Sequence, residues 1–388
     1  MPTESEIPIV SQHVARRFAG ALALFYSTLF GLMGTHLPFF AVWLRAVGIE
    51  ASWIGVISAV PAVTRFTTLP LVTGLAERHQ ALRGAIILAT FATAAGFALV
   101  GSQPEAVPVF LIYAATCCLW TPMLPLTDAY ALRGVMRYRL NYGRLRLWGS
   151  AAFVVGALSC GLLVEVIAAQ RLIWVIAALA AVGAAASLAL RPLDQPAKSS
   201  SAVQGGSALL GQGSFLAIIV STALIQGSHA AYYNFASINW QAHGLDGLTM
   251  AGLWVLGVLA EIVVFALSPR FALAPSMLVV IGGLSAVLRW LITAQEPQLA
   301  LLAVVQLAHG LTFGITQVGT MGLLVRHVPV HVMARGQGYL AACSGIVSSS
   351  ASILSGPIYA SYGPGVYYVM AAMAASGAVL MWLTRRLL

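Results

Sequence analysis

The sequence predicts an all-α membrane protein of about twelve transmembrane helices arranged as two six-helix halves. Three observations carry this. Hydrophobic residues make up 60% of the 388 positions and charged residues only 8%. Mean hydropathy is +0.89, far above that of a soluble domain. Apolar windows long enough to cross a bilayer recur in two sets, separated by one polar stretch.

The first set covers 18–43, 52–75, 84–102, 106–130, 147–168 and 171–191. The second covers 213–240, 248–268, 276–294, 298–324, 336–360 and 364–384. Each is close to the roughly 20 apolar residues that a spanning helix needs. Residues 1–191 therefore form an N-terminal half and 213–388 a C-terminal half. Between them, 192–212 holds Pro192, Pro196, Lys198, three consecutive serines and Gly205-Gly206, which suits a flexible linker. The first 17 residues are polar and lack the apolar core of a signal peptide, so the first window is expected to stay in the mature chain.

Charge placement sets the expected orientation. With the N-terminus in the cytoplasm, sixteen of the 20 Lys and Arg residues face the cytoplasm, Arg45 and Arg171 lie outside, and Arg65 and Arg289 lie within the membrane. The expectation is a multi-pass membrane protein with both termini cytoplasmic, acting as a monomer. The net charge of +9 follows this topology instead of forming one basic patch, which argues against nucleic acid as a partner. Cys117, Cys118, Cys160 and Cys343 sit in apolar windows without metal or disulfide spacing. No phosphate-binding loop, metal cluster or serine nucleophile elbow occurs, so neither an enzyme nor a cofactor or metal site is expected.

The candidate functional residues are those that the bilayer makes costly. Arg65, Glu261 and Arg289 lie near the middle of their windows, with His229 and His309 at similar depth. An ionisable side chain at that depth costs about 2.5–3.5 kcal/mol, so each needs a partner or a polar cavity. Arg65 has no acid at helical spacing on its own segment. Its guanidinium fork suits a substrate carboxylate, or equally a structural or gating bond to another helix. Glu261 is the one carboxylate at midplane and suits proton coupling; a static ion pair with Arg289 on the next helix is the alternative. His229 and His309 suit a proton relay or quiet interhelical hydrogen bonds. Tyr26, Phe30, Tyr232, Tyr233, Phe235 and Trp254 are packing anchors or the walls of a slot for a flat ring.

Several motifs resemble the major facilitator superfamily. Leu75-Ala76-Glu77-Arg78 resembles its signature loop, in which an acidic–basic pair latches the cytoplasmic gate, although Thr73 and Gln80 replace the usual glycines. Pro38-Phe39-Phe40, Pro125-Leu126-Thr127-Asp128 and Tyr142-Gly143-Arg144-Leu145-Arg146 resemble the lactose permease branch. Those stretches, with Gln226-Gly227-Ser228-His229, Phe265-Ala266-Leu267-Ser268 and Arg289-Trp290, are closer still to the phenylpropionate permease family. The resemblance implies two six-helix halves rocking around a central site. It also implies that Asp128 and Arg146 hold substrate, and that Arg289 and His309 serve proton and substrate machinery. Thr312 stands where lactose permease carries an acid after this histidine, so that proton path is not carried over whole.

The function expected is proton-coupled uptake of a small organic solute, foremost an aromatic monocarboxylate such as 3-phenylpropionate. A sugar or nucleoside symporter or a drug exporter of the same fold is the alternative, and a non-transporting membrane sensor or scaffold is the alternative of another class. A scaffold has no need of midplane charges.

Overall fold

A computed structural model describes residues 12–79, 81–140, 142–193, 206–329 and 332–387, without the side chains of residues 77, 78, 143, 206–208, 334 and 387. Every described regular element is helical. That follows from the solvent: in hydrocarbon, a segment must satisfy its own backbone polar groups.

The first half comprises α1 (Gln12–Ala46), α2 (Ala51–Arg78), α3 (Leu82–Gly101), α4 (Ala106–Trp120), α5 (Met123–Tyr138), α6 (Tyr142–Val166) and α7 (Leu172–Leu188). The second comprises α8 (Gly213–Gly227), α9 (Ala230–Ala242), α10 (Gly247–Leu267), α11 (Pro275–Thr293), α12 (Leu299–Leu307), α13 (Thr316–His327), α14 (Met333–Tyr362) and α15 (Val366–Thr384). Among the described residues, eleven stretches are long and apolar enough to span a membrane; the last, Arg335–Thr384, contains both α14 and α15. Twelve crossings result, because α4 with α5, α8 with α9, and α12 with α13 each make one.

Those three composite crossings are discontinuous. Thr121-Pro122 separates α4 from α5, Ser228-His229 separates α8 from α9, and a π-helical turn, Gly310–Ile315, joins α12 to α13. Proline removes a backbone donor and breaks the first. A π turn gives one extra residue per turn and re-aims side chains, often at functional sites.

Within the halves, α1 lies along α6, α3 along α7, and α11 along α15. Between them, α2 meets α14 and α6 meets α10. These meetings lie toward the face away from the chain termini: Gly55 nests against Ser352 and Gly356, and Gly161 against Gly247. Gly345, near the middle of α14, meets Ala62 and Phe66. Of the expected linker, 194–205 lies outside the described residues.

Candidate functional site

A cavity of about 340 Å³ opens between the halves and is walled by α1, α2, α4, α8, α9, α14 and the segment from Phe313 to Gln317. Its rings are Phe40, Tyr113, Tyr233 and Phe313; its polar groups include His36, Ser58, Asn234, Gln317 and Ser348. Arg65 projects into it and makes no hydrogen bond or ion pair among the described residues. Of the residues that the sequence singles out, Arg65 and Tyr233 line this space directly.

Arg289 has a different fate. It is 1% exposed and lies between the rings of Tyr232 and Trp290, each 4.7 Å from the guanidinium carbon. One terminal nitrogen donates to His309 Nδ1 at 2.9 Å and Thr312 Oγ1 at 3.2 Å, the other to Gln306 Oε1 at 3.1 Å. A guanidinium has only hydrogens to offer, so Nδ1 of His309 accepts and its ring proton sits on Nε2. That nitrogen lies 3.8 Å from Glu261 Oε2. The direct Glu261–Arg289 ion pair, the alternative to a coupling role, does not form; His309 stands between the two.

His229 joins this network. Its Nδ1 lies 3.2 Å from the carbonyls of Ile225 and Gln226, and so carries the hydrogen. Nε2 then accepts from Thr312 Oγ1 at 3.1 Å. Thr312 thus receives Arg289 and donates to His229, a neutral hydroxyl serving where the lactose permease pattern has an acid. The π turn brings this about by presenting Thr312 to Arg289 and Phe313 to the cavity.

The cavity and this network are one ring apart. Tyr233, a cavity wall, stacks on His229 with centroids 6.2 Å apart, and Phe313, another wall, stacks on His309 at 5.4 Å. Glu261 lies behind them, its side chain 24% exposed. Tyr232 is buried against Trp254.

A third cluster lies in the first half. The hydroxyls of Tyr26 and Tyr142 donate to one oxygen of Asp128, at 2.6 and 3.0 Å. Arg146 Nε is 4.0 Å from that oxygen, and its guanidinium covers Phe30 at 3.9 Å. Asp128 and Arg146 are brought together as the motifs suggest, but apart from the cavity wall. The gating pair Glu77 and Arg78 ends α2, and its side chains lie outside what the structure describes. His36 and Asn234 were not singled out from sequence, although an imidazole within the apolar window of α1 is a visible signal.

Twelve crossings in two bundles, broken helices at the centre and a polar cavity walled by both define a membrane solute transporter. The chain belongs to the MFS_1 like family, whose model matches residues 20–370. It is 32% identical over 364 residues to a probable 3-phenylpropionic acid transporter of Escherichia coli (strain K12), covering 91% of this chain and 94% of that protein. It is 26% identical to the maltose permease of Geobacillus stearothermophilus, covering 93% and 92%. The solved structure of the nucleoside transporter NupG superposes with a TM-score of 0.83 at 15% identity, covering 94% of this chain and 98% of NupG. It is a transporter of this superfamily and not an enzyme.

Proposed function

We propose that the protein imports a small aromatic monocarboxylate, such as 3-phenylpropionate, together with protons across the bacterial inner membrane, with both termini in the cytoplasm. The observation that carries the reading is Arg65, a guanidinium without a hydrogen-bond or ion-pair partner among the described residues, in a cavity walled by rings, aliphatic side chains and small polar groups. A bound carboxylate relieves the cost of that charge, and the rings accept a flat aromatic body. At about 340 Å³, the space is at the small end of ligand cavities, which suits a single-ring solute. The E. coli relative, described as a probable 3-phenylpropionic acid transporter, supports the same substrate class.

Proton coupling is supported by the Glu261–His309–Arg289 chain standing one ring behind the cavity. Glu261 is the group proposed to load and release the proton, with His309 and His229 relaying or orienting it.

The decisive experiment is binding and uptake with purified protein in liposomes. The acid should bind, and its amide bind poorly. Glu261→Gln should lose accumulation under a pH gradient while retaining exchange. Equal binding of acid and amide would remove the anion reading, in favour of a sugar or nucleoside as cargo. Accumulation by the Gln variant would remove Glu261 from coupling.

A further inference from the structure

We propose that the far end of the cavity recognises a hydroxyl on the substrate's ring, with His36 as the specificity-determining residue. This rests on the aromatic-acid reading above and extends it to a subclass: aryl acids hydroxylated opposite the side chain.

The cavity has two polar ends. Thr64 and Thr121 meet through their hydroxyls at 2.7 Å, which sets the level of α2 against α4. Both helices run away from the face opposite the termini, so Tyr113, eight positions before Thr121, is level with the start of α2. Its hydroxyl pairs with His36 Nε2 at 3.2 Å. On the other side of the cavity, Ser352 Oγ donates to the Gly55 carbonyl at 3.1 Å and accepts from Asn234 Nδ2 at 2.7 Å. Asn234 is thereby placed at the same level as His36. Arg65 lies seven positions beyond Ser58 and ten beyond Gly55, about 10–15 Å further along the helix axis, less the reach of its side chain. Pro61 and Ala62 supply apolar wall between the ends.

Both far-end groups have capacity to spare. His36 is fixed by stacking on Phe40 at 4.5 Å and by the edge of Trp120 at 4.4 Å. It lines the cavity, and its Nδ1 has no hydrogen-bond partner among the described residues. Asn234 uses its amide hydrogens on Ser352 and on Ser355 at 3.2 Å, which leaves Oδ1 for the cavity. A carboxylate seated on Arg65 points the far edge of its ring at these groups. A bare phenyl leaves them without a partner. A phenol both donates and accepts, so it satisfies His36 in either tautomer. Sites with spare hydrogen-bonding groups favour ligands that complete them.

Calorimetry on the purified full-length protein tests this with 3-phenylpropionate and its 4-hydroxy and 2-hydroxy ring derivatives. The 4-hydroxy acid should bind about 2- to 12-fold more tightly than the parent, the worth of one neutral hydrogen bond. The 2-hydroxy acid, whose hydroxyl lies near the wrong end, should show no such gain. His36→Phe should bring the 4-hydroxy-to-parent ratio to one, whereas Arg65→Gln should weaken both acids and preserve the ratio. No 4-hydroxy advantage in the unmodified protein overturns the proposal, as does an advantage that survives His36→Phe. If that variant does not fold, the comparison of ring isomers on the unmodified protein decides alone. If no acid binds the unmodified protein, the aromatic-acid reading itself falls; if all three bind equally, only the recognition of the hydroxyl falls.

Discussion

Arg65 and Arg289 look alike as letters in apolar windows, and their surroundings make them opposites. Arg289 has three hydrogen bonds and two ring faces, so it acts as a strut of the second half. Arg289→Gln strands His309 and Gln306, each buried, and leaving buried polar groups unpaired costs about 1–3 kcal/mol each. The expected outcome is a lower melting temperature with or without substrate; an unchanged melt would contradict the strut role. Arg65→Gln removes no hydrogen bond to the described residues and should leave the melt of the empty protein nearly unchanged. It should instead weaken binding of the aryl acid by about 10- to 150-fold, the worth of a charge-assisted bond. Arg65→Lys, which keeps charge but not the fork, should fall between. The cost of both arginines was legible in the sequence. Which of them meets solvent was not, because that depends on the facing of α2 and α11, and neither helix holds a partner for its own arginine at helical spacing. The position of His309 between Glu261 and Arg289 was hidden for a related reason: depth along a helix says how high a group sits, not which way the π turn aims it.

At the scale of elements, hydropathy located all the crossings but not their breaks. The windows 106–130, 213–240 and 298–324 read as continuous because the stretches on either side of each break are apolar, and averaging over a span hides a single re-aimed turn. Pro122 and the Ser228-His229 pair were the local signals for two of them; the π turn carries none beyond Gly310 and Gly314. Helix starts also have chemistry of their own. Asp246 precedes α10, and its Oδ1 accepts the Thr249 backbone N–H at 2.6 Å. That bond favours the charged form and holds the carboxyl below its ordinary value of 3.8. A depressed folded value gives stabilisation that is complete above 3.8 and lost as pH falls through the folded value. Asp246→Ala should therefore melt lower than the unmodified protein at neutral pH, with the gap closing on acidification below pH 3.8. A gap that persists in acid would mean the aspartate acts by something other than its charge.

At the scale of the whole molecule, the two halves are held together on the face away from the termini by close backbone approach. Gly247 opens α10 against Gly161 of α6, and a methyl group there would strike the Gly161 carbonyl and the Val164 side chain. The contact carries a latch: Glu165, on α6, accepts the Gly247 backbone N–H at 2.5 Å, one of the donors that the first turn of α10 leaves free. A carboxylate at a helix N-terminus is also favoured by the helix dipole. Alternating access requires these halves to separate on this face, so latch and glycines together bias the resting state toward closure there. Gly247→Val should shift the population toward opening on that face, because the collision is with backbone that cannot swing aside. Glu165→Ala should shift it less, since a side-chain acceptor at a helix start is worth about 0.5–2 kcal/mol and its loss leaves the backbone contact in place. Spin labels at Ser102 and Gln298, exposed on the two halves at this face, measure the separation directly. The expected result is a longer distance component that grows from unmodified protein to Glu165→Ala to Gly247→Val. If the distance distribution is the same in all three, the halves are held by something other than this contact.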